Sequence, residues 1–504
     1  MDIFTGLISG FSVAVTPINL LFGFLGAVLG TAIGVLPGLG PAATIALLLP
    51  VTYSISSPVT AIILMAGIFY GSMYGGSTTS ILLNLPGEAA SVVTCIDGYK
   101  MAQKGRAGAA LGIAAVGSFI AGTVGIIGMT FFAPLVAKFA LSFGPPEKFS
   151  LAVVGLLMAV ALSGSSVVKG LIMMAFGLLL ASVGLDPISG KTRFAFGVIE
   201  LQSGFDFVTL AMGVFGLGEI FAGLESAAKS EIVSTKVGQV WPSMKDWAAS
   251  RLAILRGTVV GFFVGVIPGG GAVISSLVSY AMEKKLSKHP EEFGQGAIQG
   301  VAGPESANNA ASSSSFIPLL TLGIPGNASI AMIFAALLIK GVTPGPFLIQ
   351  EHPEIFWGVI ASMYIGNVML LILNLPLVGL WAQLLRVPFG IMAPVIILFT
   401  AIGSYSIQNQ SFDIYSLVGF GLFGYVLRKL KFEAGPMVLA FVLAPMIEGS
   451  MRQSLLMSAG SFSIFVMRPI SMSLVGLFLV IVIAQTIVNI TRRTESKSTG
   501  GGKK

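Results

Sequence analysis

The sequence predicts an all-α polytopic membrane protein built of two inverted-topology repeats with discontinuous helices. Three observations carry that prediction: an apolar composition, two ordered pairs of Pro-Gly breaks, and a loop charge bias that changes sides between the halves. Of the 504 residues, 55% are hydrophobic and 10% are charged, against roughly 25% charged in an ordinary soluble domain. Mean hydropathy is +0.92. Apolar runs near membrane-spanning length recur at Ile18–Val35, Ala109–Ala133, Leu370–Leu385 and Ile470–Ile490. That length rule gives about 12 to 14 segments.

Along the chain, the opening "MDIFTGLISGFSVAVTPINL" lacks a basic n-region and a small-residue cleavage site, so the first span reads as retained. It leads into "GFLGAVLGTAIGVLPGLG", an apolar run stopped by Pro37-Gly38, which predicts a broken helix over 34–41. A second break is expected over 77–91, where "STTSILLNLPGEAAS" passes from hydroxyls through apolar residues to Pro86-Gly87. The stretch 223–256, "GLESAAKSEIVSTKVGQVWPSMKDWAASRLAILR", is the longest polar interruption and reads as a linker with an amphipathic piece. It separates a first repeat, 1–222, from a second, 257–491, and a basic tail follows at 492–504. The second repeat restates both phrases in order, "TVVGFFVGVIPGGG" with a break at 265–272 and "SSSSFIPLLTLGIPGNAS" with a break at 312–329. Two motifs recurring in the same order indicate internal duplication.

Loop charge sets the relative orientation of the copies. After the first break, "VTYSISSP" is uncharged, whereas its counterpart "EKKLSKHPEE" carries Lys284, Lys285 and Lys288. After the second break the bias reverses: "DGYKMAQKGR" carries Lys100, Lys104 and Arg106, and "KGVTPGPFLIQEHPE" carries only Lys340. Basic loops stay in the cytoplasm, so equivalent loops of the two halves fall on opposite faces. The same rule puts "RKLK" (Arg428–Lys431) and the tail from Arg492 in the cytoplasm. The formal charge of +7 lies in such loops, which points to membrane topology and lipid, not to nucleic acid.

A broken helix in a membrane must be packed in protein or line a wet cavity, because an unpaired backbone group in hydrocarbon costs several kcal/mol. The new N-terminus offers free N–H groups and about half a positive charge, an anion site without a charged side chain. Broken carbonyl ends hold a cation. A single Pro-Gly is more often a kink, but Pro37, Pro86, Pro268 and Pro325 form two pairs, and paired breaks point to a central transport site. Polar residues beside them supply the chemistry. Ser77, Thr78, Thr79, Ser80 and Asn84 flank the second break, and Asn308, Asn309, Ser312, Ser313 and Thr321 precede the fourth. Their oxygens ligate sodium or exchange hydrogen bonds with a carboxylate; close helix packing is the plainer reading of the small ones. Glu88 and Glu305 are the intramembrane acids suited to ion or proton coupling, with capping or an interfacial position as the alternative. Glu219 and Glu448, near ends of apolar runs, read as interfacial.

Other chemistry is poorly represented. His289 and His352 sit in charged loops and make no multi-histidine metal site. "GLDPISGKT" (Gly184–Thr192) has five residues between its glycines where a phosphate loop needs four. Cys95 is the single cysteine and reads as a buried inert thiol. "NAS" at Asn327 falls inside a break and is not read as a glycosylation site. An intramembrane enzyme using Glu88, Glu305, Asn308 and Asn309 is the rival from another class.

The phrases "GVLPGLGPA", "YGGSTTSILLNLPGEAASVVTCIDGYKMAQKGRAGAALG", "GPESANNAA" and "IPLLTLGIPGNASIAMIFAALLIKGVTPGP" resemble the large membrane subunit of the bacterial tripartite tricarboxylate transporters, nearly throughout the chain. The resemblance implies a secondary transporter of the inner membrane for organic carboxylates such as citrate, driven by sodium or protons. It also implies a small four-helix membrane subunit and a periplasmic solute-binding protein as partners; oligomeric state is left open, a homo-oligomer included. By analogy with inverted-repeat carriers, a transport domain holding both broken pairs slides against a scaffold, as in an elevator. The expected substrate contacts are Gly38, Gly40, Ser77, Thr78, Thr79, Asn84 and Gly87 from the first repeat. Those from the second are Gly269, Gly270, Asn308, Asn309, Ser312, Ser313 and Gly326. Pro37, Ser80, Glu88, Pro268, Glu305 and Thr321 are expected at the coupling ion, sodium or a proton, with no other metal or cofactor.

Overall fold

In the computed structural model, residues 2–36, 40–162, 166–186, 188–226, 240–385 and 389–480 are described. The first half runs α1 (Ile3–Ala14), α2 (Pro17–Val35), α3 (Pro41–Ser54), α4 (Pro58–Leu83), α5 (Val92–Gln103) and α6 (Ala107–Ala140). Then come α7 (Pro145–Leu162), α8 (Val167–Ala181), a hairpin of β1 (Gly184–Leu185) and β2 (Thr192–Arg193), α9 (Phe207–Ala211) and α10 (Gly218–Ser226). A π-helical turn, Met212–Leu217, joins the last two. The second half runs α11 (Met244–Val266), α12 (Gly271–Leu286), α13 (Gln299–Ser314), α14 (Phe316–Leu322), α15 (Ala328–Ile339) and α16 (Leu348–Glu351). It ends with α17 (Pro353–Asn374), α18 (Val378–Leu384), α19 (Phe389–Gln408), α20 (Ser411–Lys429), α21 (Gly435–Met457) and α22 (Ile464–Met467). The chain is an all-α multi-pass membrane protein: among the described residues six helices are long and apolar enough to cross a bilayer, and shorter apolar helices accompany them.

Proline opens α2, α3, α4 and α17, where its missing N–H costs nothing. Within the expected linker, α10 continues to Ser226 and α11 already starts at Met244. Ser243 caps α11 in a reciprocal box, its Oγ accepting from the Asp246 N–H (3.2 Å) while Asp246 accepts from the Ser243 N–H (3.2 Å). Residues 227–239 and the tail from Arg492 lie outside the described residues.

Two helix pairs form the centre, and each is set by small residues four apart. Gly26, Gly30 and Gly34 of α2 lie against α4, so that a Cβ on them would stand 2.5, 2.4 and 2.3 Å from the carbonyls of Leu64, Ile68 and Ser72. Gly257, Gly261 and Gly265 of α11 repeat the pattern on α13, at 2.3, 2.1 and 2.5 Å from the carbonyls of Gly303, Ala307 and Ala311. Such stripes let backbones touch where lipid offers no hydrophobic drive for helix association. Both contacts advance in step, so the helices of each pair run parallel. The pairs themselves run in opposite directions. Ser77 of α4 bonds Glu305 of α13, and one turn further along α4 Ile81 meets Val301, earlier in α13, across Gly98. α4 is buried from Val59 to Leu82, and α13 from Gly300 to Ser314. A polar helix such as α13 is therefore surrounded by protein.

All four Pro-Gly phrases interrupt helices. The first separates α2 from α3, with Pro37 and Gly38 outside the described residues. The second begins at Asn84 (φ 58°) and ends at Glu88. The third passes through Gly269 (φ 82°), and the fourth leaves α14 at Gly323 (φ 69°), left-handed conformations that favour glycine. Each break is narrower than the sequence phrase suggests, because Ser77–Ser80 belong to α4 and Ser312–Ser314 to α13. The step from α13 to α14 coincides with Pro318, which has no N–H for the Ser314 carbonyl.

Candidate functional site

The four breaks meet at one cavity of about 580 Å³. Gly40 and Pro41 reach it from the first, Pro86–Ala89 from the second, Gly269–Gly271 from the third and Gly326–Ser329 from the fourth. These are the residues that start α3, the 3-10 turn before α5, α12 and α15, so four helical N-termini face a common space. A backbone bond, Gly269 N–H to the Gly326 carbonyl at 2.7 Å, ties the third break to the fourth. Gly87 wedges the second break between α2 and α4, since a Cβ there would lie 2.0 Å from the Gly34 carbonyl.

The N-termini are capped in two ways. Gly40 and Gly270 precede α3 and α12 without a side-chain cap. Glu88 and Asn327 are caps in the other two breaks: Glu88 Oε2 accepts from Ala90 N–H at 2.6 Å, and Asn327 Oδ1 from Ile330 N–H at 3.0 Å. Glu88 is 6% exposed, lines the cavity, and its Oε1 has no hydrogen-bond partner. Phe215, Glu219, Arg428, Phe432 and Glu433 form part of the facing wall, from the α9–α10 and α20–α21 segments. Glu219 and Arg428 pair at 3.2 Å, with the Glu219 carboxylate beside Gly40. Burial pushes the Glu433 carboxyl, in the loop between α20 and α21, above its ordinary range.

Of the residues singled out in the sequence, Gly40, Gly87, Glu88, Gly269, Gly270 and Gly326 line this cavity. The structure assembles a different group behind it. Glu305 is fully buried on α13; its Oε2 accepts from Ser77 Oγ (2.9 Å) and Asn308 Nδ2 (3.2 Å), and its Oε1 from Thr94 Oγ1. Asn309 Nδ2 donates to Ser118 Oγ (2.8 Å), the Glu305 carbonyl (3.0 Å) and Asn308 Oδ1 (2.6 Å). Ser80, Ser312, Ser313 and Thr321 donate to the carbonyl four residues earlier in their own helices, and Thr79 to the Val35 carbonyl. Thr78 is buried within α4, while Asn84 turns the chain by its backbone. Pro268 sits one residue before the cavity-lining stretch and packs beside Gly155 and Gly326. The hydroxyl clusters are thus internal cement between α4, α5, α6 and α13, behind the cavity surface.

Glu219 and Arg428 line the cavity, although the sequence reading did not place them there. Glu219, read as interfacial, is the thirteenth of nineteen residues in the apolar segment Phe207–Glu225, and an acid within such a segment is the signal that marks it. Arg428 carries no such signal, because it belongs to a basic loop phrase. Glu448, the other acid read as interfacial, takes a fork from Arg193 (3.0 and 3.3 Å) and a bond from Arg452 (2.5 Å). Arg452 also reaches Asp186 in the hairpin at 3.1 Å. The segment resembling a phosphate loop is that hairpin, which leads into a strand where a phosphate loop leads into a helix, and Asp186 accepts there from the Ile188 N–H (3.0 Å) and Ser189 Oγ (2.9 Å). Cys95 is buried.

Comparison with known proteins places this architecture among relatives. Residues 20–439 match the profile of the Tripartite tricarboxylate transporter TctA family. The chain is 50% identical over 495 residues, 98% of each chain, to an uncharacterized 52.8 kDa protein in the TAR-I ttuC' 3'region of Agrobacterium vitis. It is 51% identical over 235 residues to an uncharacterized protein in the TAR-II ttuC' 3'region of the same organism, covering 47% of this chain and 97% of that one. No solved structure matches.

Proposed function

The chain belongs to the Tripartite tricarboxylate transporter TctA family as its large membrane subunit, and from that premise we propose that it takes up di- or tricarboxylates such as citrate through the cavity between its four breaks. A tripartite system implies a small membrane subunit and a periplasmic binding protein. In this reading the binding protein delivers substrate and a sodium or proton gradient drives uptake across the bacterial inner membrane.

The observation that carries the reading is the convergence of four helical N-termini on one cavity. Glu88 and Asn327 already cap two of them, which leaves the amides at the glycine starts of α3 and α12 to meet carboxylate oxygens without a permanent cation. The charges on the wall favour cation coupling. Among the described lining residues Glu88, Glu219 and Glu433 outnumber the single guanidinium of Arg428, so a polyanion entering beside them needs accompanying sodium ions or protons. The buried Glu88 carboxyl, with one oxygen unpartnered and sealed from the cavity surface, is the place for a proton. The opposed run of the two glycine-striped pairs supports inverted repeats, which alternate access about a shared site.

Labelled citrate and a dicarboxylate panel, offered to proteoliposomes holding both membrane subunits, test this directly. Uptake is expected only with the binding protein and an inward cation gradient. Retained uptake at low substrate without the binding protein means an autonomous carrier, and product formed in detergent without a gradient means an enzyme. Gly269→Leu, whose Cβ would lie 2.4 Å from Ala159 Cα, is expected to abolish uptake by displacing the third break from the cavity.

A further inference from the structure

Polar contacts divide the chain along a line that cuts both repeats. Residues 2–143 and 240–385 form one group, which holds the four breaks, and residues 144–226 and 389–480 form another, which supplies the facing wall of the cavity. Within the first, Asp97 of α5 accepts from the N–H groups of Gly294 (2.8 Å), Gly296 (2.7 Å) and Ala297 (2.9 Å) before α13. Lys340, at the end of α15, donates to the Ile55 carbonyl at the end of α3. Each clasp ties a helix that follows a break in one repeat to a loop of the other. Within the second group, Arg428 pairs with Glu219, Arg452 with Asp186 and Arg468 with Glu147. Between described residues, no side-chain hydrogen bond, ion pair or ring pair joins the two groups. The contacts that do join them are close and apolar: Gly216 of the π-helical turn against Leu47, Gly403 of α19 against Pro50, and Gly155 of α7 against Pro268. Such a seam slides without leaving a buried hydrogen bond unmade, which would cost about 1–3 kcal/mol each.

The seam is covered at one end only. α3 packs on α19 and the π-helical turn, and α15 on α21, whereas α5 and α12 have no such partner in the second group. From the cavity, α3 and α15 run toward the loops poor in basic residues, and α5 and α12 toward the lysine-rich ones. Matched positions show what is uncovered. Counting from Gly87 and Gly326, Val92 and Ile96 of α5 correspond to Ala331 and Ala335 of α15; counting from Gly38 and Gly269, Leu277 of α12 corresponds to Ala46 of α3. Ala331, Ala335 and Ala46 are 0%, 5% and 0% exposed, while Val92, Ile96 and Leu277 are 48%, 43% and 52% exposed. Larger apolar side chains thus stand bare where their repeat counterparts are buried.

We propose that the structure holds the cavity open toward the lysine-rich face, and that in the opposite state the first group slides until the α5–α12 face takes the cover against the second group that α3 and α15 have here. Asp97 and Lys340 keep the four breaks together as one body through that movement. One apolar face is buried as its repeat counterpart is released, so the two states stay close in free energy. The inference rests on the transport reading above and says which surfaces alternate.

Cross-links in a Cys95→Ser background test it in proteoliposomes holding both membrane subunits. A Cβ on Gly403 would stand 3.3 Å from Pro50 Cβ, and one on Gly155 3.5 Å from Pro268 Cβ, near disulfide spacing. Pro50→Cys with Gly403→Cys therefore locks the seam, and Gly155→Cys with Pro268→Cys serves where the first pair fails to fold. Gly125→Cys with Ser313→Cys, 3.2 Å apart by the same measure, joins α6 to α13 inside the first group. Oxidising a seam pair should abolish uptake and reductant should restore it, while the oxidised inner pair keeps its uptake. Leu277→Cys or Ile96→Cys, added to a seam pair and followed by peptide mapping at that residue, should react with maleimide faster in the oxidised protein than in the reduced one, which samples both states. Uptake through an oxidised seam pair, reductant-reversible loss in the inner pair, or equal labelling in both redox states, as lipid or the small subunit on that face would give, overturns the proposal. Wild-type vesicles that take up no carboxylate overturn the transport reading alone, and the labelling comparison then decides the seam.

Discussion

The two halves build the same device with different polar chemistry. Each lays a glycine-striped helix parallel to a buried one, breaks both at Pro-Gly, and starts new helices at the cavity. The first half places a carboxylate, Glu88, in its second break, where the second half places the amide of Asn327. Behind the cavity the relation reverses: α4 contributes the hydroxyls Ser77 to Ser80, and α13 contributes the acid Glu305 with Asn308 and Asn309. Geometry is shared because helix contact and backbone breaks admit few solutions. Charge is not shared: among the described lining residues the first half brings Glu88 and Glu219 and the second Arg428 and Glu433, which makes the cavity electrostatically lopsided.

The strongest way to break the parallel is to separate the helix pairs. Gly30→Leu and Gly261→Leu push side chains into carbonyls 2.4 and 2.1 Å from the new Cβ. Both should cost about 3 kcal/mol or more and remove the monodisperse peak in detergent chromatography. Gly419→Leu, with nothing within 4 Å, should leave it intact. Next in size, Glu305→Leu strands donors on Ser77, Thr94 and Asn308, and a loss of about 3 kcal/mol is expected in thermal unfolding, with a smaller loss for Glu305→Gln. Glu88→Gln should cost only about 1 kcal/mol of stability as a weakened cap while uncoupling uptake from the cation gradient. Uptake that still follows the gradient would remove Glu88 from coupling.

The smallest effect concerns pH, outside the membrane. The Ile188 N–H, with Arg452 and Ser189 assisting, holds the Asp186 carboxyl below its ordinary range. A depressed folded value stabilises above the unfolded value of about 4 and is lost as pH falls through the folded one. Asp186→Asn should therefore lower Tm slightly at neutral pH and match the parent in strong acid; an equal gap at both pH values would contradict this.

The breaks were legible because proline and glycine punctuate apolar runs that otherwise have no reason to stop, and among the described residues Pro86, Pro268 and Pro325 fall between helices. The near wall of the site follows from them. The hydroxyl clusters were legible as important but not as buried, since a serine such as Ser312 inside a helix satisfies itself on the carbonyl one turn back. The far wall could not be read. Glu219 and Arg428 are 209 residues apart by their numbering, and only the packing of α10 along α20 brings them together.

Substrate protection of single cysteines tests most directly whether the four breaks enclose the transport site. With Cys95 replaced by serine, Ala89→Cys, Ala272→Cys and Ala328→Cys sample three of the breaks, and Ser313→Cys samples the buried group behind them. Citrate should slow maleimide labelling at all three cavity positions together and leave Ser313→Cys unchanged. Labelling at the breaks that ignores every carboxylate, in complexes that still take up citrate, would place the path elsewhere.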